Sequence, residues 1–489
     1  MKSTELTPFA PSFMESSRAI GYSLEAAVSD IIDNSITAKA ENIEVNFFPE
    51  HSDGPYIYIL DDGYGMAEPV LEEAMRYGSR SPTEVRAEDD LGRYGLGMKT
   101  ASLSQCRKMT VLTKSGGKMS GRSWDLDFVL KKKTWSLLIL EEEDMRLVPG
   151  YDKLVNQEQG TIVVWQNLDR LFAGDLDPKN ALGKKMDILR DHLSLVFHRY
   201  IAGEQGIRKT RISLNNRPVT PTDPFLSGKS TQTFDDEIIR IENSEIVVRP
   251  YTLPHLSKLT KEEIDSLGGK DGLRKGQGFY VYRNKRLLIW GEWFRLMRKG
   301  ELSKLARIRV DIPNSLDDLW VLDIKKSTAT PPEVVRRNLA HFIDKVAAES
   351  KRKWTYRGKK EQEKPETKIW NRLLTRDKSV MYEINAEHPL ITGFIEQYPE
   401  TKRQLLSILK QIQLNLPLNQ LYVDLTNDEK IENDSESTAE EILLTIRNMI
   451  QTLPTRDLKL MYIDALKKTE PFDAFEDRID EEIAKGGLP

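Results

Sequence analysis

Gly92, Gly95 and Gly97 punctuate the run Gly92-Arg93-Tyr94-Gly95-Leu96-Gly97-Met98-Lys99-Thr100, and the residues that follow have helical character. Glycines at this spacing let the backbone turn tightly and present its N–H groups, so phosphate can sit at the N-terminus of the following helix. Ordinary loops share the pattern, and its neighbours decide between the two readings. Upstream, Tyr56-Ile57-Tyr58-Ile59-Leu60 is β-branched and aromatic, which predicts a short strand. It ends in Asp61-Asp62-Gly63-Tyr64-Gly65-Met66. A carboxylate at the exit of a buried strand can accept a hydrogen bond from an exocyclic amine such as N6 of adenine; an acidic β-turn has the same composition. Further upstream, Leu24, Ala27, Val28, Ile31 and Ile32 recur at helical spacing. On that amphipathic helix Asp30, Asp33, Asn34 and Thr37 fall on one polar stripe. Such stripes commonly face solvent, yet Asp and Asn are poor helix formers beside the Glu, Lys and Gln of an ordinary exposed face.

Taken in order, the helix, the D-x-G-x-G turn and the glycine-rich run resemble the ATPase family shared by gyrase B, Hsp90, sensor histidine kinases and MutL, called GHKL. A fourth segment fits, since Gly160-Thr161-Ile162-Val163-Val164-Trp165 looks like that family's later strand. The resemblance implies ATP as ligand and Mg2+ as cofactor. It assigns Asp30 to the water-activating carboxylate and Asn34 to the magnesium ligand. Asp61 would read adenine with Thr161 behind it, and Gly63, Gly65 and Met66 would line the same pocket. Gly92, Tyr94, Gly95, Leu96, Gly97, Met98 and Lys99 would form the phosphate-wrapping lid. One departure matters: most relatives carry Glu where this chain has Asp30, one methylene shorter, and a general base needs hydrogen-bond reach to its water. Slow hydrolysis is therefore expected.

The chain has 489 residues, enough for two or three domains with their own cores, and its 39% hydrophobic and 30% charged content is that of an ordinary globular protein. No apolar run approaches membrane-spanning length and no secretory pattern opens the sequence, so cytoplasmic location and no membrane partner are expected. The single cysteine, Cys106, excludes an intramolecular disulfide and a cysteine-rich zinc site. Basic residues number 72 against 76 acidic ones, so net charge does not announce nucleic acid. Locally, Arg283 to Arg309 holds nine basic and two acidic residues with Trp290, Trp293 and Phe294 among them, and Lys351 to Pro365 holds seven and two. Either could contact phosphate backbones, or be a solvated face.

The expected class is α+β in three parts. Residues 1–175 form a GHKL (Bergerat) α/β sandwich with the motif helix and lid on one side of a mixed sheet. Residues 176–204 form a connecting helix, from Leu182 to Ile201. Residues 205–345 form an α/β domain in which Gly278 to Leu288 is the strongest hairpin. Residues 350–489 form a helical domain with apolar stripes at Leu405–Ile412 and Ile442–Ile450, joined by an acidic connector, Asp424 to Glu436. The family resemblance makes residues 205–345 an S5-like transducer, whose lysine loop reaches the γ-phosphate. Trp320-Val321-Leu322-Asp323-Ile324-Lys325-Lys326-Ser327-Thr328 is placed to be that loop, with Lys326 preferred over Lys325, and two surface lysines at a strand end fit as well.

Exclusions narrow the branch. Only about twenty residues precede the motif helix, none of them His, which disfavours a sensor kinase; the six histidines show no metal-ligand spacing. The lid from Arg93 to Ser102, Tyr77-Gly78-Ser79-Arg80-Ser81 before it and Gly160–Trp165 after it are most similar to the MORC type. That resemblance implies an ATP-dependent homodimer acting as a nucleotide-gated clamp in a DNA transaction. Bacterial restriction or anti-phage defence is the setting it suggests, with other subunits of such a system as partners. Two alternatives stay open: an Hsp90-like protein chaperone, and an ATP-binding scaffold with little hydrolysis.

Overall fold

The computed structural model describes residues 3–4, 6–19, 21–78, 91, 97–172, 178–229, 232–233, 236–241, 244–255, 258–300, 303–317, 320–322, 329–340, 342–343, 367–374, 380–418, 420–421, 439–451 and 453–488. They form two compact units, Met1–Tyr356 and Arg357–Pro489.

In the first unit an eight-stranded sheet has the order β5-β4-β3-β6-β2-β1-β7-β8. Its strands are β1 (Asn42–Phe48), β2 (Tyr56–Asp61), β3 (Lys108–Ser115), β4 (Lys118–Asp125), β5 (Leu138–Leu140), β6 (Gly160–Gln166), β7 (Arg211–Leu214) and β8 (Arg217–Pro218). The pairings are antiparallel except β1 with β7. Helices in this part are α1 (Ala10–Arg18), α2 (Leu24–Thr37), α3 (Glu68–Met75), α4 (Gly97–Gln105), α5 (Leu126–Lys132), α6 (Glu142–Arg146), α7 (Tyr151–Val155), α8 (Pro178–Val196) and α9 (His198–Ala202). Strand alternation sorts the core into two faces. Ile57, Ile59, Met109, Val111, Val163 and Trp165 point to α1, α2, α4 and α8. Tyr56, Tyr58, Leu60, Leu112, Ile162 and Val164 point to Met145 of α6 and Leu154 of α7. This is the expected layered α+β arrangement, and its parallel strand β7 comes from residues beyond 175.

The connecting helix ends sooner than its apolar periodicity suggests. It breaks at Phe197, whose ring is fully buried and whose backbone leaves helical geometry, and α9 then runs on to a left-handed Gly203. Leu189, Leu193 and Val196 of α8 join the first core, while Leu195 packs against Tyr280, Tyr282 and Leu287. One helix thus touches both sheets of the unit.

The second sheet contains β9 (Gln232–Thr233), β10 (Glu237–Ile241), β11 (Ser244–Thr252), β12 (Gly278–Arg283), β13 (Arg286–Glu292) and β14 (Ala306–Ile312). β12 and β13 are the expected hairpin, turning at Asn284 and Lys285, both in left-handed geometry (φ 47° and 65°), as a type I′ turn requires. Phe279, Val281, Leu288, Ile308 and Val310 pack on Val335 and Leu339 of the helix over 333–340. Val321–Leu322 pairs with Ala329–Thr330; Asp323 to Thr328, including Lys325 and Lys326, lie outside the described residues, as do Gly92 to Leu96 and Lys351 to Pro365.

The second unit is mostly helical as expected and also holds a two-stranded hairpin, β17 (Trp370–Leu374) with β18 (Val380–Ile384), which follows in sequence the short pair β15 (Val321–Leu322) and β16 (Ala329–Thr330) of the first unit. Ile442, Leu443, Ile446 and Ile450 form its core with Ile463, Leu466, Phe472 and Ile479. The other stripe is not core: no residue of the Lys402–Leu414 helix is buried, and Ile408 and Ile412 are exposed. That helix leans on the small sheet, with Gln413 Oε1 accepting the Ile384 amide at 3.3 Å. The acidic connector lies outside the described residues.

Candidate functional site

Helix α2 begins at Ser23, whose hydroxyl caps the Ala26 amide, and is buried along most of its length. The polar stripe is largely internal: Asp30 is 5% exposed and Asp33 1%, while Asn34 is exposed. Tyr22 donates its hydroxyl to Asp30 Oδ2 at 3.1 Å. Gly97, the first residue of α4, stands so close that a Cβ there would lie 3.4 Å from the same Oδ2. The end of the glycine run and the helix carboxylate are therefore neighbours.

Ser35, next to Asn34, ties this helix to the strand. Its hydroxyl donates to Asp61 Oδ2 at 2.7 Å, and the Gly63 amide donates to Asp61 Oδ1 at 2.9 Å. Burial dominates the electrostatics of this carboxyl: desolvation lifts its pKa from 3.8 to about 6, against the lowering effect of the Ser35 and Gly63 bonds. Thr161 lies opposite Asp61 in the β2–β6 register, and its hydroxyl is 3.2 Å from that of Thr113. Thr113 in turn accepts the Met66 amide at 2.8 Å, so the turn after β2 is pinned to β3. Gly65 makes this possible: its φ is +66°, and a Cβ would fall 2.1 Å from the Lys114 carbonyl oxygen. The adjacent Asp62 is a latch instead, accepting the Glu41 and Asn42 amides at 2.7 and 2.9 Å.

Lys99 is placed differently from a phosphate-facing cation. It is 2% exposed, and its ammonium donates to the Ala74 carbonyl at 2.7 Å beside the Tyr77 ring. Trp124 Nε1 donates to Met75 O at 2.9 Å, so the two side chains together cap the C-terminal carbonyls of α3. Burial lowers the Lys99 pKa to about 8, with Glu73 acting in the opposite sense. Met98 packs, partly buried, against the main core.

Asp30, Asp61, Gly63, Gly65, Met66, Gly97 and Thr161 are thus gathered around the junction of α2, β2, β6 and α4, with Asn34 exposed on α2 beside them. Sequence reading missed Tyr22, Ser35 and Thr113. Ser35 carried a signal, since its position directly after Asn34 turns it from the stripe toward the strand. No group of acidic, histidine or cysteine side chains suited to a metal ion occurs among the described residues. Cys106 is buried and unpaired by disulfide. Among the described residues no helix is long and apolar enough to cross a membrane.

A buried strand-exit aspartate bound to a motif helix, with Gly97 at the start of α4 set against that helix's Asp30, fits a nucleotide-binding α/β sandwich, and comparison with known proteins agrees. Residues 22–161 match the family described as histidine kinase-, DNA gyrase B- and HSP90-like ATPase, which supports a GHKL-type domain over this part of the chain. The chain is also similar to ATPase morc-1 of Caenorhabditis elegans, 23% identical over 240 residues. The match covers 39% of this chain and only 28% of the length of the nematode protein.

Proposed function

We propose that the chain binds ATP where α2, β2 and α4 meet, hydrolyses it slowly, and acts as a nucleotide-gated homodimeric clamp in a DNA transaction. The observation that carries this reading is the Ser35–Asp61 bond, which joins the helix of Asp30 and Asn34 to the adenine-reading carboxylate at 2.7 Å. Asp61 accepts the adenine amine, with Thr161 and Thr113 fixing the strands behind it. Gly92, Gly95 and Gly97, with Tyr94 and Leu96, wrap the phosphates. The residues present fit a magnesium nucleotide: Gly97 leaves the space beside Asp30 open, and the exposed Asn34 carboxamide offers a hard oxygen donor one turn away. Magnesium, when bound through Asn34, offsets phosphate charge.

Asp30 takes the proton of the attacking water as its oxygen forms a bond to the γ-phosphorus and the β–γ bridging bond breaks toward ADP. The Tyr22 hydroxyl holds that carboxylate in one orientation. Lys326 or Lys325 answers to the γ-phosphate and links its loss to the second sheet. The short reach of Asp30 favours a second reading, a scaffold that binds ATP and scarcely turns it over. The DNA part of the proposal is supported by the loop after β13. Much of the basic stretch is internal, since Arg283, Arg286, Lys304 and Arg307 are buried, but Arg295, Arg298 and Lys299 are exposed around a cleft of about 490 Å³. ATP turnover and salt-sensitive DNA retention, each compared with Asp30→Ala, test the proposal. A clamp requires both to depend on nucleotide; a scaffold keeps binding without turnover, and a chaperone shows no DNA retention.

A further inference from the structure

The β12–β13 hairpin ends in Arg283-Asn284-Lys285-Arg286, and both of its arginines are withdrawn from solvent, at 3% and 5% exposure. Arg286 Nε donates to Asp33 Oδ1 at 2.7 Å, across 253 residues of sequence. Asp33 is the residue between Asp30 and Asn34 that the nucleotide roles leave unused, and it too is buried. The Arg286 guanidinium lies over the Phe197 ring at 5.7 Å, where α8 breaks. Arg283 makes a second set of contacts. Its Nη1 donates to the Leu91 carbonyl at 3.1 Å, and Leu91 directly precedes the glycine run. Its Nε and Nη2 form a fork on Asp317 at 2.8 and 2.7 Å, a few residues before the segment that holds Lys325 and Lys326. The Leu91 amide donates to Thr37 at the end of α2 at 3.4 Å. The turn itself is fixed, with Tyr200 donating to the Asn284 carbonyl at 2.5 Å.

Four parts, namely the motif helix, the residue before the glycine run, the α8 break and the lead-in to the lysine segment, therefore meet at one turn. We infer that this hairpin tip is the coupling element of the protein. Arg286 and Arg283 are positioning residues through which occupancy of the site on α2 is transmitted to the second sheet. The inference rests on the nucleotide reading above. Its physical basis is geometric: the buried Arg286–Asp33 pair and the Arg283–Leu91 bond tie one hairpin to the motif helix and to the start of the glycine run, while the fork on Asp317 fixes Arg283 in a single orientation, so a shift of either partner pulls on the hairpin. A ligand moves such an equilibrium only by as much as it favours one arrangement, so cutting the Arg286–Asp33 and Arg283–Leu91 contacts uncouples the sheet while leaving the nucleotide contacts in place.

The test is hydrogen exchange of the full chain with and without magnesium and the β,γ-imido analogue of ATP, with analogue affinity measured in parallel. In the wild type the analogue slows exchange in residues 91–105 and, by on the order of tenfold, in Gly278–Glu292. In Arg286→Met the analogue still binds and protects residues 97–105, but the hairpin response is lost. If that variant does not fold, Arg283→Lys decides, because it keeps the charge and removes the guanidinium contact to the Leu91 carbonyl; the hairpin response is again expected to vanish. A response that persists in either folded variant overturns the inference, as does a wild type that binds the analogue without any change in the hairpin. A wild type that fails to bind the analogue overturns the nucleotide reading instead.

Discussion

Adenine nucleotide affinity should fall on acidification because Asp61 must be ionised to accept the base's amine. Burial raises its pKa from 3.8 to about 6, which corresponds to about 3 kcal/mol of preference for the protonated form in the folded chain. Since the folded state holds that proton more tightly than the unfolded state, the contribution to stability is complete below pH 3.8 and is lost as pH rises through about 6. Ligand binding runs the other way, favouring the carboxylate. From pH 7 to pH 5 the dissociation constant should therefore rise about tenfold, one decade for the unit below the pKa. Asp61→Asn removes the titration. It also leaves only one oxygen for the two donors, Ser35 and Gly63, which costs about 1–3 kcal/mol, so its affinity should be weaker and flat with pH relative to the wild type. Titration calorimetry at several pH values on both proteins makes the comparison, and the phosphate's own ionisation cancels in the ratio. Parallel pH profiles for the two proteins would refute the placement of adenine on Asp61.

Asp30→Ala should abolish ATP turnover while nucleotide binding survives, as read by steady-state phosphate release beside equilibrium dialysis. Gly65→Ala should lower stability to chemical denaturation by about 3 kcal/mol, from its positive φ and the clash with the Lys114 carbonyl. At Gly117, which also has positive φ but open surroundings, the same change should cost about 1 kcal/mol. Replacing Arg295, Arg298 and Lys299 together by Ala should reduce the slope of log affinity for duplex DNA against log salt by about 2 to 3, without altering ATP affinity. Sizing chromatography should give a species of twice the monomer mass with the non-hydrolysable analogue and not with ADP.

What the sequence made legible were features governed by local periodicity and turn chemistry. The α2 helix followed from its apolar spacing, and the β12–β13 hairpin followed from β-branched and aromatic residues around Asn284-Lys285. Asp61 was visible because a strand signal ended on it. Roles set by distant partners were not. Asp33 reads as one more member of a solvated stripe until Arg286, far along the chain, is brought against it. Lys99 reads as a phosphate cation from its place after the glycines, yet its side chain reaches the Ala74 carbonyl. The parallel pairing of β7 with β1 has no short-range signature, and the helix at Lys402–Leu414 shows that an amphipathic stripe records a preference for burial, not the presence of something to cover it.

The decisive measurement is calorimetric titration of magnesium and the β,γ-imido analogue of ATP into the full chain, with the GTP analogue as comparison. Binding of one adenine nucleotide per chain, weakened by Asp61→Asn and by Asn34→Ala and much tighter than that of the guanine analogue, is the predicted result. Absence of saturable binding, or equal affinity for the two bases, would contradict a nucleotide site built on Asp30, Asn34 and Asp61.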